Sequence, residues 1–102
     1  MENAKRNFAD IIKEDALVLI DFSAEWCGPC QMMKPVLEEL KRRNGDALRI
    51  LKIDVDKNQS LAAAYQVQGV PTLVLFSRGE QVWRQSGAMP LQQLQQVIQQ
   101  YS

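Results

Sequence analysis

Cys27 and Cys30 stand three positions apart, where the apolar run Ala16 to Phe22 gives way to a long amphipathic segment. Two thiols so spaced, on the first turn of a helix that follows a strand, suit thiol–disulfide exchange. Pro29 fits an initial helical position, because its missing N–H costs nothing there and its φ is already helical. Gly28 lets the backbone turn tightly between strand and helix. Cys27 then lies beside free helix N–H groups and the positive end of the dipole, which favours its thiolate. It reads as the attacking sulfur, and Cys30, one turn deeper, as the resolving one. The spacing permits a small-ring disulfide that opens and closes with little backbone movement. The competing readings are a bracing disulfide, inert core thiols, or half of a metal site. The last would need two chains to share it, since the sequence holds only these two cysteines and no histidine.

Three more residues carry chemical weight. Asp21 interrupts a strand that is otherwise apolar on both faces, and a carboxylate there must find a partner or shift its pKa upward. Lys52 is a charge inside a second strand-like run, and adjacent strands would let the two approach. One reading is a buried ion pair that serves the fold. The other makes Asp21 the proton acceptor for Cys30 when that thiol attacks a mixed disulfide. Trp26, directly before Cys27, is either core filler or an apolar footing for a target protein that also shields the thiolate. Glu25 beside it is expected to point outward.

Composition narrows the function further. With 102 residues, one domain spanning 1–102 and one modest core are expected. Twelve Lys and Arg balance 12 Asp and Glu, so no basic field serves a nucleic acid or an anionic membrane. The absence of histidine excludes Ser-His and Cys-His triads. The start, Met1 to Arg6, is too polar for a signal peptide, so a reducing cytoplasm is the expected compartment, where a close thiol pair is more often catalytic, metal-binding or sensing than a permanent staple.

Periodicity places the elements. A helix is expected over residues 4–14, with Phe8, Ile11 and Ile12 on its apolar side. Ala16 to Ser23 reads as a buried strand. A second helix from Gly28 to Arg43 carries the stripe Cys30, Met33, Leu37, Leu40; Pro35 should kink it, and Asn44-Gly45 offers a left-handed stop. Leu48 to Val55 is the next strand, its faces not assignable from pattern. Asp56 and Gln59 have capping-box spacing and would open a short helix through Leu61 and Tyr65. Thr72 to Phe76 and Gln81 to Ser86 form a hairpin in which Gly79 supplies a positive φ. A final helix starts near Pro90 with Met89 as a poor N-cap; Leu91, Leu94, Val97, Ile98 and Tyr101 form its stripe among six glutamines. This order implies an α/β three-layer sandwich with a central mixed sheet of four or five strands.

Val18 to Cys30, which includes Trp26-Cys27-Gly28-Pro29-Cys30, followed by Pro35, Lys52 to Asp56 and Val70-Pro71-Thr72, resembles the thioredoxin family over nearly the whole chain. The resemblance implies a general protein-disulfide reductase with no bound cofactor and no metal, likened to a monomer that draws electrons from an NADPH-dependent thioredoxin reductase and passes them to many disulfide-containing proteins. It aligns Asp21 and Lys52 with the family's buried aspartate and nearby lysine. It makes Pro71 cis and sets it against the cysteines, with Val70 offering backbone hydrogen bonds to an extended substrate. Gly69, Gly87 and Ala88 would add small surface to the same groove, beside Trp26, Gly28 and Pro29. Two departures stand out. Ser23 occupies a position where many relatives carry a second tryptophan, and the edge strand that usually precedes the first helix has room for only two or three residues. The rival functions are an oxidase or isomerase of exported proteins and a non-catalytic interaction subunit using the same apolar surface.

Overall fold

The computed structural model describes residues 4–14 and 16–102, with side chains from residue 8 onward. Helix α1 spans Ala4–Ile11, strand β1 Leu17–Ser23, α2 Gly28–Asn44, β2 Leu48–Asp54, α3 Gln59–Ala64, β3 Thr72–Ser77, β4 Glu80–Ser86 and α4 Leu91–Gln100. The strands form one mixed sheet in the order β2-β1-β3-β4. β1 runs parallel to β2, across the α2 crossover, and antiparallel to β3. The expected α/β three-layer sandwich is thus present, with four strands among the described residues.

The alternation of β1 assigns the layers. Leu17 and Leu19 join Met33, Leu37 and Leu40 of α2 and Leu94 and Ile98 of α4 in one cluster. Val18, Ile20 and Phe22 point the other way, onto Phe8 and Ile12 of the first helical segment and Leu61 near α3. Both faces of β1 are buried along its whole length, as a central strand between helical layers requires. The same alternation settles β2, whose faces the pattern left open: Leu48 and Ile50 pack under α2, while Leu51 and Ile53 face α3. On α4, Leu94 and Ile98 are fully buried amid the glutamines, each worth about 1.5–3 kcal/mol of burial.

Several local details differ from expectation. α1 ends at Ile11 and not at residue 14; Lys13 and Glu14 donate to carbonyls only three residues back, the tighter bonding of a fraying turn. Helix α2 continues through Pro35 to Asn44, one residue past the expected end. Gly45 (φ 53°) then stops it, and Lys41 Nζ donates to the carbonyls of Gly45 at 2.8 Å and Leu48 at 2.6 Å. The capping box does not form. Asn58 is the N-cap of α3, without a side-chain cap bond, its Nδ2 donating back to Asp54 O at 3.0 Å, and Asp54 has captured the turn instead: its Oδ1 accepts from the N–H groups of Asp56 at 2.9 Å and Lys57 at 3.3 Å. At α4 the N-cap is Pro90 and not Met89, and it makes no side-chain cap bond.

The β3–β4 hairpin turns on Arg78 (φ 52°) and Gly79 (φ 88°), the two positive φ values of a type I′ turn. Gly79 also has a packing reason: a Cβ there would stand 3.3 Å from Lys13 Cγ, and its N–H donates to Ile12 O at 2.7 Å. β2 forms one edge of the sheet. The expected stunted first strand would fall on residues 1–3, outside the described residues. The β2 edge displays charge, with exposed Lys52 and with Arg49 paired to Glu14 at 2.9 Å, which discourages edge-to-edge association.

Candidate active site

The carboxyl end of β1 delivers the chain through Ala24, Glu25 and Trp26 to Cys27, the N-cap of α2, in extended conformation. Pro29 stands within the first two helical positions, as its fixed φ favours. Cys27 and Cys30 form a disulfide with Cα atoms 5.3 Å apart. The Cys30 N–H donates to Cys27 Sγ at 3.1 Å, so this sulfur takes the place of the oxygen of an ordinary N-cap and receives an otherwise unpaired helix donor. Cys30 is 1 % exposed and Cys27 4 %. The reactive pair is therefore reached through its rim, where Trp26, Gly28 and Pro29 are exposed.

Across the pair lies the loop before β3. The Val70–Pro71 peptide bond is cis, and Val70 O stands 3.7 Å from Cys27 Sγ. Gly69 and Val70 line a groove with Trp26, Val55, Val67 and Gln68. Gly69 O accepts from Thr72 Oγ1 at 2.7 Å. Pro71 O accepts from Gly87 N at 2.8 Å, with Gly87 at φ 93°, so Gly87 and exposed Ala88 come to the same end of the sheet. The structure thus sets Trp26, Gly28 and Pro29 next to the cysteines in the chain and Val70 O against Cys27 Sγ, with Gly69, Pro71 and Gly87 in and tied to the same loop.

Asp21 and Ser23 take the last two inward positions of β1, on the side that faces α2. Both are 1 % exposed, and Asp21 Oδ1 and Ser23 Oγ have no hydrogen-bond partner among the described residues. Burial pushes the Asp21 carboxyl up to about 6, with the Lys52 charge pulling weakly the other way. Asp21 and Lys52 are register partners on adjacent strands. Lys52 is nevertheless exposed, and no ion pair joins the two among the described residues. A buried Asp21–Lys52 ion pair is therefore not what the strands build: the long lysine stem carries its charge out to water.

Other contributions were missed in the sequence. Asp56, read as a cap, instead accepts the Trp26 indole N–H at 2.9 Å and holds an exposed tryptophan in one orientation. Glu25 points outward, as expected, and pairs with Lys57 at 3.5 Å. Met32 is 74 % exposed, beside Trp26 at 71 %; its position off the Cys30–Met33–Leu37 stripe was the available signal. Arg84 of β4 donates to the carbonyls of Tyr65 and, at 2.9 Å, Gln66, bracing the segment that leads to Val70. Nothing in the pattern of β4 marked that role.

The arrangement is built for thiol–disulfide exchange, and comparison with known proteins agrees. The Thioredoxin family model matches residues 1–100. The thioredoxin of Bacillus subtilis (strain 168) is 49 % identical over 84 residues, covering 82 % of this chain and 81 % of that protein. Thioredoxin Y, chloroplastic, of Oryza sativa subsp. japonica is 44 % identical over 84 % of this chain, which spans 51 % of that longer protein. Among solved structures, a thioredoxin variant from Halobacterium salinarum NRC-1 superposes with a TM-score of 0.86 at 47 % identity, covering 94 % of this chain and 83 % of the other. A disulfide capping a helix beside a cis-proline loop, on this sheet order and at these identities, places the chain in the thioredoxin family of dithiol–disulfide oxidoreductases.

Proposed function

We propose that the protein is a general reductase of protein disulfides. The observation that carries this reading is the Cys27–Cys30 pair at the start of α2, with one sulfur receiving a helix N–H and facing Val70 O. After reduction the same N–H and the positive helix end stabilise a Cys27 thiolate. That thiolate attacks one sulfur of a target disulfide, the other target sulfur leaves as a thiolate, and a mixed disulfide remains. Cys30 then gives its proton to Asp21 and attacks Cys27 Sγ. The second target sulfur leaves, the Cys27–Cys30 bond reforms, and the target has gained two electrons.

Trp26, Val55, Val67 and the Gly69–Val70 loop line a groove at this end of the sheet, suited to extended segments of many proteins. Val70 would supply backbone hydrogen bonds to such a segment. Lys52 would tune Asp21 through its charge alone. The proposed electron donor is an NADPH-dependent thioredoxin reductase, and the proposed compartment is a reducing one such as the cytoplasm. The test is reduction of insulin by dithiothreitol with catalytic amounts of the protein. Acceleration that vanishes in Cys27→Ser, together with an accumulating mixed disulfide in Cys30→Ser, supports the assignment. Acceleration that survives Cys27→Ser overturns it. A potential near about −270 mV, the reference value for thioredoxins, favours the reductase; one near about −180 mV, that of protein disulfide isomerase, favours the rival oxidant or isomerase.

A further inference from the structure

Ser23 stands where the resemblance leads one to expect a large aromatic side chain, yet it is 1 % exposed and its Oγ has no hydrogen-bond partner among the described residues. An unpaired buried hydroxyl is costly, about 1–3 kcal/mol. Asp21 Oδ1 is in the same condition two residues away on the same strand face. Same-face neighbours on a strand are about 6.5–7 Å apart at the backbone. The two groups make no direct hydrogen bond, but a serine hydroxyl and a carboxylate reaching towards each other across such a gap can share one bridging water.

The surroundings leave each group no better partner. From β2, Lys52 is in register with Asp21 but exposed, and Asp54, in register with Ser23, spends its Oδ1 on the N–H groups of Asp56 and Lys57. β3 places Leu73 opposite Asp21. The buried stripe of α2 offers Cys30, held in the disulfide, and Met33, and α4 contributes Leu94 and Ile98 to the neighbouring core.

We propose that Ser23 is a positioning residue for the proton transfer of the exchange reaction: its hydroxyl donates to the Asp21 carboxylate across one bridging water, and fixes the oxygen that takes the Cys30 proton. The inference rests on the reading of Asp21 as that acceptor. In the step concerned, the Cys30 S–H bond breaks and its proton goes to Asp21. The Cys27–Cys30 bond forms as the bond between Cys27 and the target sulfur breaks, and the target leaves with the electron pair. Asp21 later returns the proton to solvent, and Ser23 ends with the proton it began with.

Ser23→Ala, Ser23→Thr and Asp21→Asn separate the possibilities, read by carboxyl NMR titration of Asp21 and by the pH dependence of single-turnover reduction of a protein disulfide. Loss of a donor to the charged form disfavours that form, so Ser23→Ala should raise the Asp21 midpoint by about 0.5–1 pH unit. The rate at the parent midpoint should fall about 2- to 5-fold, and about 3- to 10-fold well below it, and converge with the parent at high pH. Ser23→Thr keeps a hydroxyl on a strand-compatible side chain and should restore both readouts. A midpoint and profile unmoved in Ser23→Ala, while Asp21→Asn abolishes the pH dependence, overturns the role of Ser23 alone. A profile unmoved in Asp21→Asn overturns the acceptor reading, and the role of Ser23 with it.

Discussion

The two faces of the sheet are made by the same four strands and end differently. On the α1/α3 side, β1 remains apolar to its end, and Phe22 meets an aromatic group in which Phe8, Tyr65 and Phe76 lie 5.3–5.8 Å apart between ring centroids. On the α2/α4 side the row begins with Leu17 and Leu19 and finishes with Asp21 and Ser23, buried and unpaired. Both faces are buried, so the difference lies in what is enclosed. One face encloses apolar side chains and a single satisfied hydroxyl, that of Thr72, which donates to Gly69 O, and its contribution is stability. The other encloses a carboxyl with a midpoint lifted to about 6, a cost in stability that the proposed proton transfer would account for.

The comparison can be broken most forcefully on the apolar face. Phe22→Ala should remove about 3–5 kcal/mol of stability in urea unfolding, equally at pH 5 and pH 8; a loss that depended on pH would show that the two faces are not separate. Asp21→Asn should do the opposite. The folded carboxyl titrates near 6 against an ordinary 3.8, so between those values the folded state holds a proton that the unfolded chain has released. Stability of the parent therefore falls as pH rises through that window and levels off above it. Asp21→Asn should remove this fall and be more stable above pH 7 by on the order of 2–3 kcal/mol, with no gain below pH 4. Parallel stability–pH curves for parent and variant would refute the assignment.

Smaller effects sharpen the rim. Arg84→Met keeps the stem and deletes the bonds to the Tyr65 and Gln66 carbonyls. It should cost about 1–2 kcal/mol and raise the KM for a protein disulfide more than it lowers kcat, because only the loop before Val70 loosens. Asp56→Ala frees the Trp26 indole. At so exposed a contact the expected loss is about twofold in kcat/KM, visible also as faster Trp26 motion by fluorescence anisotropy.

The elements were largely legible, because buried strands and amphipathic helices announce themselves by period: the Cys30, Met33, Leu37, Leu40 stripe and the Leu94, Ile98 pair packed as the spacing required. The errors fall at helix starts. Asp56 competed with Asp54 for the same turn, and only the fold decides which carboxylate is free to meet Trp26. Lys52 was legible as a charge in a strand, but whether it is buried depends on being at the edge, which is a matter of strand order.

By itself the sequence determined the chemistry of the reactive pair: a strand, a glycine and a proline set two cysteines on a helix start, and local backbone preference suffices to put them there. It determined too which residues seek the interior. Tertiary structure alone decided that Val70 faces Cys27 from 43 positions away in the chain, that the Arg84 guanidinium holds the approach to it, and that Asp21 and Ser23 are closed off together beneath α2. Those facts depend on strand order and helix placement, which bring distant segments together and set how much water each side chain keeps.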